Sequence, residues 1–148
     1  EAFAQHEYDK FRRLEARALV GTGPALQILN TKRVALLAGA AYMLELERLD
    51  RREGTGDAGA DSTAHRASLY LTGTEAVSDN VSFAETIYVQ PRLDDASDVR
   101  VLSEISVTSK LSKRIALSDA LIVAYDRTPP EGVKRYDMQL RVSVIVTF

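Results

Sequence analysis

At the C-terminal end of the chain, Met138, Leu140, Val142, Val144, Val146 and Phe148 alternate with Asp137, Gln139, Arg141, Ser143 and Thr147. A two-residue period of this kind predicts a β-strand with one apolar and one polar face. Only Ile145 breaks the polar side. The pattern repeats upstream: Leu117, Leu121, Val123 and Tyr125 oppose Ser118, Ala120, Ala124 and Asp126, and Val101, Ile105, Val107 and Leu111 oppose Arg100, Glu104, Ser106, Thr108 and Lys110. Val81, Phe83, Ile87 and Val89 face away from Ser82, Thr86, Gln90 and Arg92, and Ala67, Leu69 and Leu71 from Arg66, Ser68, Tyr70 and Thr72. Glu85 and Asp119 fall on apolar faces and run against the pattern.

Two stretches are less regular. VALLAGAAYMLELERL places Val34, Leu36, Ala38, Ala40, Tyr42, Leu44 and Leu46 on one face, but its residues are also good helix formers, so a helix of about 14 residues is the alternative. Leu14, Ala16, Ala18 and Val20, opposite Glu15 and Arg17, begin a strand that bends at Gly23-Pro24 and resumes as ALQIL. AFAQHEYD is too short to phase. Counted by this template, the chain holds about eight strands.

The connections alternate as well. NT, SDN and SKR are short, whereas REGTGDAGADST, DDASD and TPPEG are longer. Tight turns at one end and long loops at the other are the pattern of an up-and-down barrel in an outer membrane. Strand length points the same way, since Arg33 to Glu47 and Arg135 to Phe148 exceed the usual globular strand of about 5–6 residues and suit a tilted, bilayer-spanning one of about 9–11. The expected fold is therefore an all-β, antiparallel up-and-down transmembrane β-barrel, with residues 1–148 forming a single domain. A soluble β-sandwich with one face in its core is the competing architecture.

Given a barrel, the polar faces supply its interior. Glu15, Arg17, Glu45, Arg66, Arg100, Glu104 and Arg141 are the candidate lumen-facing residues, a mixture of signs able to fill a small barrel as an ion-paired plug. Tyr42, Tyr70, Tyr88, Tyr125 and Tyr136 are candidates for the membrane interfaces.

Composition narrows the chemistry. The 148 residues hold no cysteine and a formal net charge of −2, which excludes disulfides, thiol catalysis and Cys-ligated zinc and offers no basic face to nucleic acid. The longest apolar run, Val34 to Met43, is too short for a membrane helix. The start, EAFAQHEYDKF, has neither the basic nor the apolar part of a signal peptide, so the expectation is that one has been removed or that the sequence is a fragment. His65 has Asp61, Ser62, Thr63 and Ser68 nearby, but none of them supplies a positioned nucleophile and base by itself, and His6 stands with Asp9 beside the first loop, so no catalysis is expected. Asp94, Asp95 and Asp98 in DDASD do not follow an EF-hand pattern, and GTGDAGAD lacks the lysine of a phosphate loop. No metal or cofactor is expected.

The ending also resembles a family. The run IALSDALIVAYDRTPPEGVKRYDMQLRVSVIVTF has a strand ending in Tyr, a turn with paired prolines and Gly-Val, an Asp, and a terminal strand closing on Phe. With HEYDKFRRLEARALVGTGPALQIL and ETIYVQPRLDDASDVRVLSEISV upstream, it is similar to the DUF481 family, which includes YdiY-like proteins described as salt-induced outer-membrane proteins. IVTF stands where an aromatic-bearing, VYSF-like ending is usual. Upstream strands expected of a full-length member are missing, so the strands here could be the C-terminal part of a larger barrel.

The resemblance implies a bacterial outer-membrane location and a structural or interaction role in the cell envelope. Its implied partners are the bilayer, lipopolysaccharide and the outer-membrane assembly machinery, with homo- or hetero-oligomers possible. Val144, Val146 and Phe148 would form the assembly signal. A narrow channel or envelope-stress porin is the alternative function, and a soluble β-sandwich binding module the third.

Overall fold

The computed structural model describes residues 1–51, 54–57 and 59–147, and these form one antiparallel sheet. Its nine strands are β1 (Ala2–Asp9), β2 (Leu14–Thr22), β3 (Ala25–Asn30), β4 (Val34–Leu49), β5 (Asp61–Ala76), β6 (Val81–Pro91), β7 (Val99–Lys110), β8 (Ile115–Asp126) and β9 (Tyr136–Val146). The spatial order is β1-β2-β4-β5-β6-β7-β8-β9, with β3 also on β4. It is a meander curled into a half-barrel, and β1 and β9 are its two edges.

Strand β4 contains all of VALLAGAAYMLELERL, so the helical alternative for that segment does not hold. Alternation outweighs helix propensity because each even-numbered residue lands on the convex face and each odd-numbered one on the concave face. The extra strand beyond the eight expected comes from the bend. β2 pairs with the second half of β4, through Thr22↔Tyr42, and β3 pairs with the first half, from Ala25↔Gly39. At the joint, a Cβ on Gly23 would lie 2.1 Å from the Ala40 carbonyl oxygen, so only glycine lets the two backbones approach.

The register turns every apolar stripe outward. On β9, Met138 and Leu140 are 70% and 71% exposed, whereas Glu45 on β4 and Arg66 on β5 are each 2% exposed on the concave side. The buried apolar set is small, Leu14, Leu19, Ala41, Met43, Leu49, Ala64 and Ala120, and shares the interior with charged side chains. No second sheet covers the convex face among the described residues, so the β-sandwich alternative does not hold within this chain. Leaving a Leu- or Val-sized side chain in water forgoes about 1.5–3 kcal/mol, and the β9 stripe alone then forgoes an amount comparable to a whole domain's net stability of about 5–15 kcal/mol.

Candidate functional site

The interior near the long-loop end is a lattice of arginines and carboxylates. Its centre is Glu45: Oε1 lies 3.6 Å from Arg66 Nε, and Oε2 lies 3.8 Å from Arg17 Nε and accepts a hydrogen bond from Arg100 Nη1. Alternate residues of β4 share a face, so Glu47 joins it, accepting from Arg17 Nη2 at 2.6 Å and from Arg100 Nη2 at 3.2 Å. Arg17 reaches Glu7 on β1 at 3.1 Å, and Arg100 Nε donates to Asp126 on β8 at 2.9 Å. Arg12, in the β1–β2 turn, is 3.9 Å from Glu7 and 3.8 Å from Asp126. Arg12, Glu7, Arg17, Glu47, Arg100 and Asp126 thus alternate in sign around a closed ring, with Glu45 bridging its inner arginines.

Arg66 extends the lattice outward. Its Nη2 donates to Asp98 Oδ2 at 3.1 Å and its Nη1 to the carbonyls of Gln90 and Asp98 at 3.1 and 3.3 Å. Its Nε is buried without a hydrogen-bond partner. Every cation in this array is arginine, whose planar fork serves several carboxylates at once, as a lysine ammonium cannot.

A second cluster ties the loops above the lattice. Arg13, held at φ 57° in the β1–β2 turn, is almost fully buried. It donates to Asp50 at 3.0 Å, Asp57 at 2.7 Å, the Thr55 hydroxyl at 2.8 Å and the Glu131 carbonyl at 2.8 Å. Asp57 also accepts the Glu131 amide at 2.8 Å, and Glu131 accepts the Gly56 amide at 2.9 Å. The Glu131 amide and the Arg13 guanidinium hold the Asp57 carboxyl below its ordinary value, while Asp57 pushes Arg13 up.

Below the lattice the half-barrel encloses an open cavity of about 680 Å³, lined by Phe3, Leu19, Met43, Tyr70, Tyr88 and Glu104 among others. The Tyr70 and Tyr88 ring centroids are 5.5 Å apart, and Tyr70 donates to the Glu1 carboxylate at 2.6 Å. Tyr70 also lies across Gly39, where a Cβ would be 2.2 Å from the ring.

Of the candidate interior residues, Arg17, Glu45, Arg66 and Arg100 come together in the lattice. Glu104 is exposed and lines the cavity, and Arg141 is exposed on edge strand β9, opposite Ala120. Glu15 does not join them: a register shift between Leu14 and Ala16 turns Leu14 into the interior and leaves Glu15 exposed, within electrostatic reach of Arg48. Val144 and Val146 stand on the convex side, 66% and 52% exposed, and Phe148 lies outside the described residues.

Arg92 and Asp126 fall on the polar faces read from the sequence without being singled out, and Glu47 shares the face of the candidate Glu45. Sequence reasoning missed Glu7, Arg12 and Arg13, which lie in turns or in a strand too short to phase, and it read Asp98 only as part of the DDASD turn, whereas Asp98 is buried against Arg66. In DDASD, Asp94 pairs with Arg92 at 2.7 Å, which holds it down at about 2, Asp95 accepts from Ser97, and Asp98 belongs to the lattice. His65 hydrogen-bonds Tyr42 on the convex face, where His6 also lines a shallow groove.

A meander half-barrel with an ionic concave face and an apolar convex face defines the structural class. The chain belongs to the DUF481 family, described as "Protein of unknown function", whose match spans residues 1–148. Neither curated proteins nor solved structures give a match to it.

Proposed function

We propose that this chain is a β-barrel protein of the bacterial outer membrane with a structural or interaction role in the envelope, its interior closed toward the long-loop end by the arginine–carboxylate lattice. The inverted distribution of polarity carries this reading: charged groups are buried on the concave face while the convex face presents its large apolar side chains outward. Hydrocarbon is the solvent that makes such a face favourable, and β4 and β5, at 16 residues each, exceed the roughly 9–11 needed to cross. The short turns add to it. Lys32-Arg33 and Lys113-Arg114 place paired cations where phospholipid headgroups would lie.

A bilayer also demands that backbone groups on the β1 and β9 edges be paired, so the working barrel closes through further strands at those edges. The no-catalysis reading rests on the same ground, since the lattice carboxylates and arginines are engaged with one another. Heat-modifiable migration of the detergent-extracted protein tests the proposal: a folded band running ahead of the boiled one is expected. A monomer that stays in solution without detergent would contradict it.

The narrow-channel reading draws on the cavity below the lattice. With the lattice intact the path is obstructed, so planar bilayers should show little conductance for the native protein, and loosening the lattice should raise it.

A further inference from the structure

On the convex face, one groove near the short turns combines apolar walls with two carboxylates. It has a volume of about 250 Å³ and is walled by Leu29, Leu36, Leu71, Phe83 and Ile87, with Glu75 and Glu85 in its lining. Its floor is Gly73, paired with Leu36 on one side and Glu85 on the other. A Cβ at Gly73 would meet only Leu36 Cδ1, at 3.8 Å, so the space above it is open.

Glu75 pairs with Phe83 and Gly73 with Glu85, which sets the two carboxylates one diagonal apart, within reach of a common ligand atom. No ion pair engages either among the described residues. Two like charges on a lipid-facing floor are unfavourable unless a cation neutralises them. At the short-turn mouth the signs reverse. Val34 lines the groove opposite Glu75, and the exposed residues Lys32 and Arg33 precede it in a turn fixed by the Ala76 amide donating to the Arg33 carbonyl at 2.7 Å.

We propose that this groove is a specific site for an amine-bearing zwitterionic phospholipid, phosphatidylethanolamine. An acyl chain lies over Gly73 between Leu36, Leu71 and Phe83. The phosphate sits at the mouth against Lys32 and Arg33, and the ethanolamine arm folds back from it along the groove wall so that the primary ammonium donates to Glu75 and, one diagonal deeper, to Glu85. A choline head lacks the N–H donors and a glycerol head lacks the cation, so the arrangement distinguishes these lipids by headgroup.

The site rests on the membrane-barrel reading, and the test separates the two. Native mass spectrometry of the detergent-extracted protein, mixed with phosphatidylethanolamine, phosphatidylcholine and phosphatidylglycerol of identical chains, should retain phosphatidylethanolamine about fivefold over the others. The preference should vanish in the Glu75→Gln/Glu85→Gln double variant and in Gly73→Leu, which fills the groove. It should persist in Asp119→Asn, which removes a convex carboxylate outside the groove. Equal retention of the three lipids by a heat-modifiable barrel, or a preference unchanged in Gly73→Leu, would overturn the site alone. Loss of heat-modifiable migration in the native protein would overturn the membrane reading and the site with it.

Discussion

Arg100 on β7 donates to Glu47 on β4 at 3.2 Å, although β5 and β6 lie between those strands in the sheet. Only curvature brings them together, so this contact, with that of Arg100 to Glu45, marks the concave face and spans it. The lattice is thereby a cross-brace of the half-barrel as well as its filling.

Removing one member of a buried lattice leaves its partners charged and unpaired. Glu45→Gln leaves Arg17, Arg66 and Arg100 converging on a neutral side chain and should cost about 3–5 kcal/mol. Arg141→Gln, on the exposed edge strand, should stay within about 0.5 kcal/mol. Urea unfolding of the detergent-refolded variants checks the difference, and equal midpoints would remove the lattice from the stability of the fold. In planar bilayers, Glu45→Gln should also conduct more than the native protein.

The loop clamp should be acid-sensitive. Asp57 has its folded value lowered from 3.8, so its contribution is complete above that ordinary value and is lost as pH falls through the depressed one. Protons bound there release Arg13 and the Glu131 amide. Hydrogen exchange at the Gly56 and Glu131 amides, corrected for intrinsic rates, should accelerate below about pH 4 in the native chain. Asp57→Asn should already exchange fast at neutral pH and show little further change.

How far the facing was legible bears on these residues directly. Alternation identified the sides of the residues it phased in β4 through β9, including the anomalies Glu85 and Asp119, because a period of two survives any curvature of the sheet. It failed at Glu15, where a bulge inserts one residue and reverses the phase. It could not find Arg13 or the pairing of Asp98 with Arg66, because these contacts join turns to distant residues and depend on how the sheet curls, a long-range property absent from local spacing. The pairing of Arg100 with Glu45 was likewise hidden, although both residues were recognised as facing inward.

The bend between β2 and β3 offers a backbone test. A Cβ at Gly23 would meet the Ala40 carbonyl and the Ala41 Cα within 2.4 Å, and neither can yield as a flexible side chain could. Gly23→Ala should destabilise by about 1–3 kcal/mol through a forced backbone shift. A Gly21→Ala variant, crowded by the ring of Phe3 and by the Tyr42 carbonyl oxygen at 2.9 Å, should recover in part when combined with Phe3→Leu. Thermal unfolding of the series measures both effects.

Insertion should depend on which face receives a charge. Val144→Arg places a cation on the convex stripe and should cost about 2–4 kcal/mol if the residue lies at the bilayer midplane, less toward an interface. Ser143→Arg, on the concave side, should insert nearly as the native chain does. Folding yields into vesicles compare the two.

The facing of the sheet toward lipid is tested most directly by labelling. The chain has no cysteine, so Val142→Cys and Ser143→Cys each supply a single attachment point on adjacent residues of β9. A fluorophore at each position is measured in vesicles containing brominated lipids, which quench only what touches the acyl chains. Strong quenching at position 142 and weak quenching at position 143 is the expected result; equal quenching at the two, or quenching at neither, would contradict a lipid-facing convex surface.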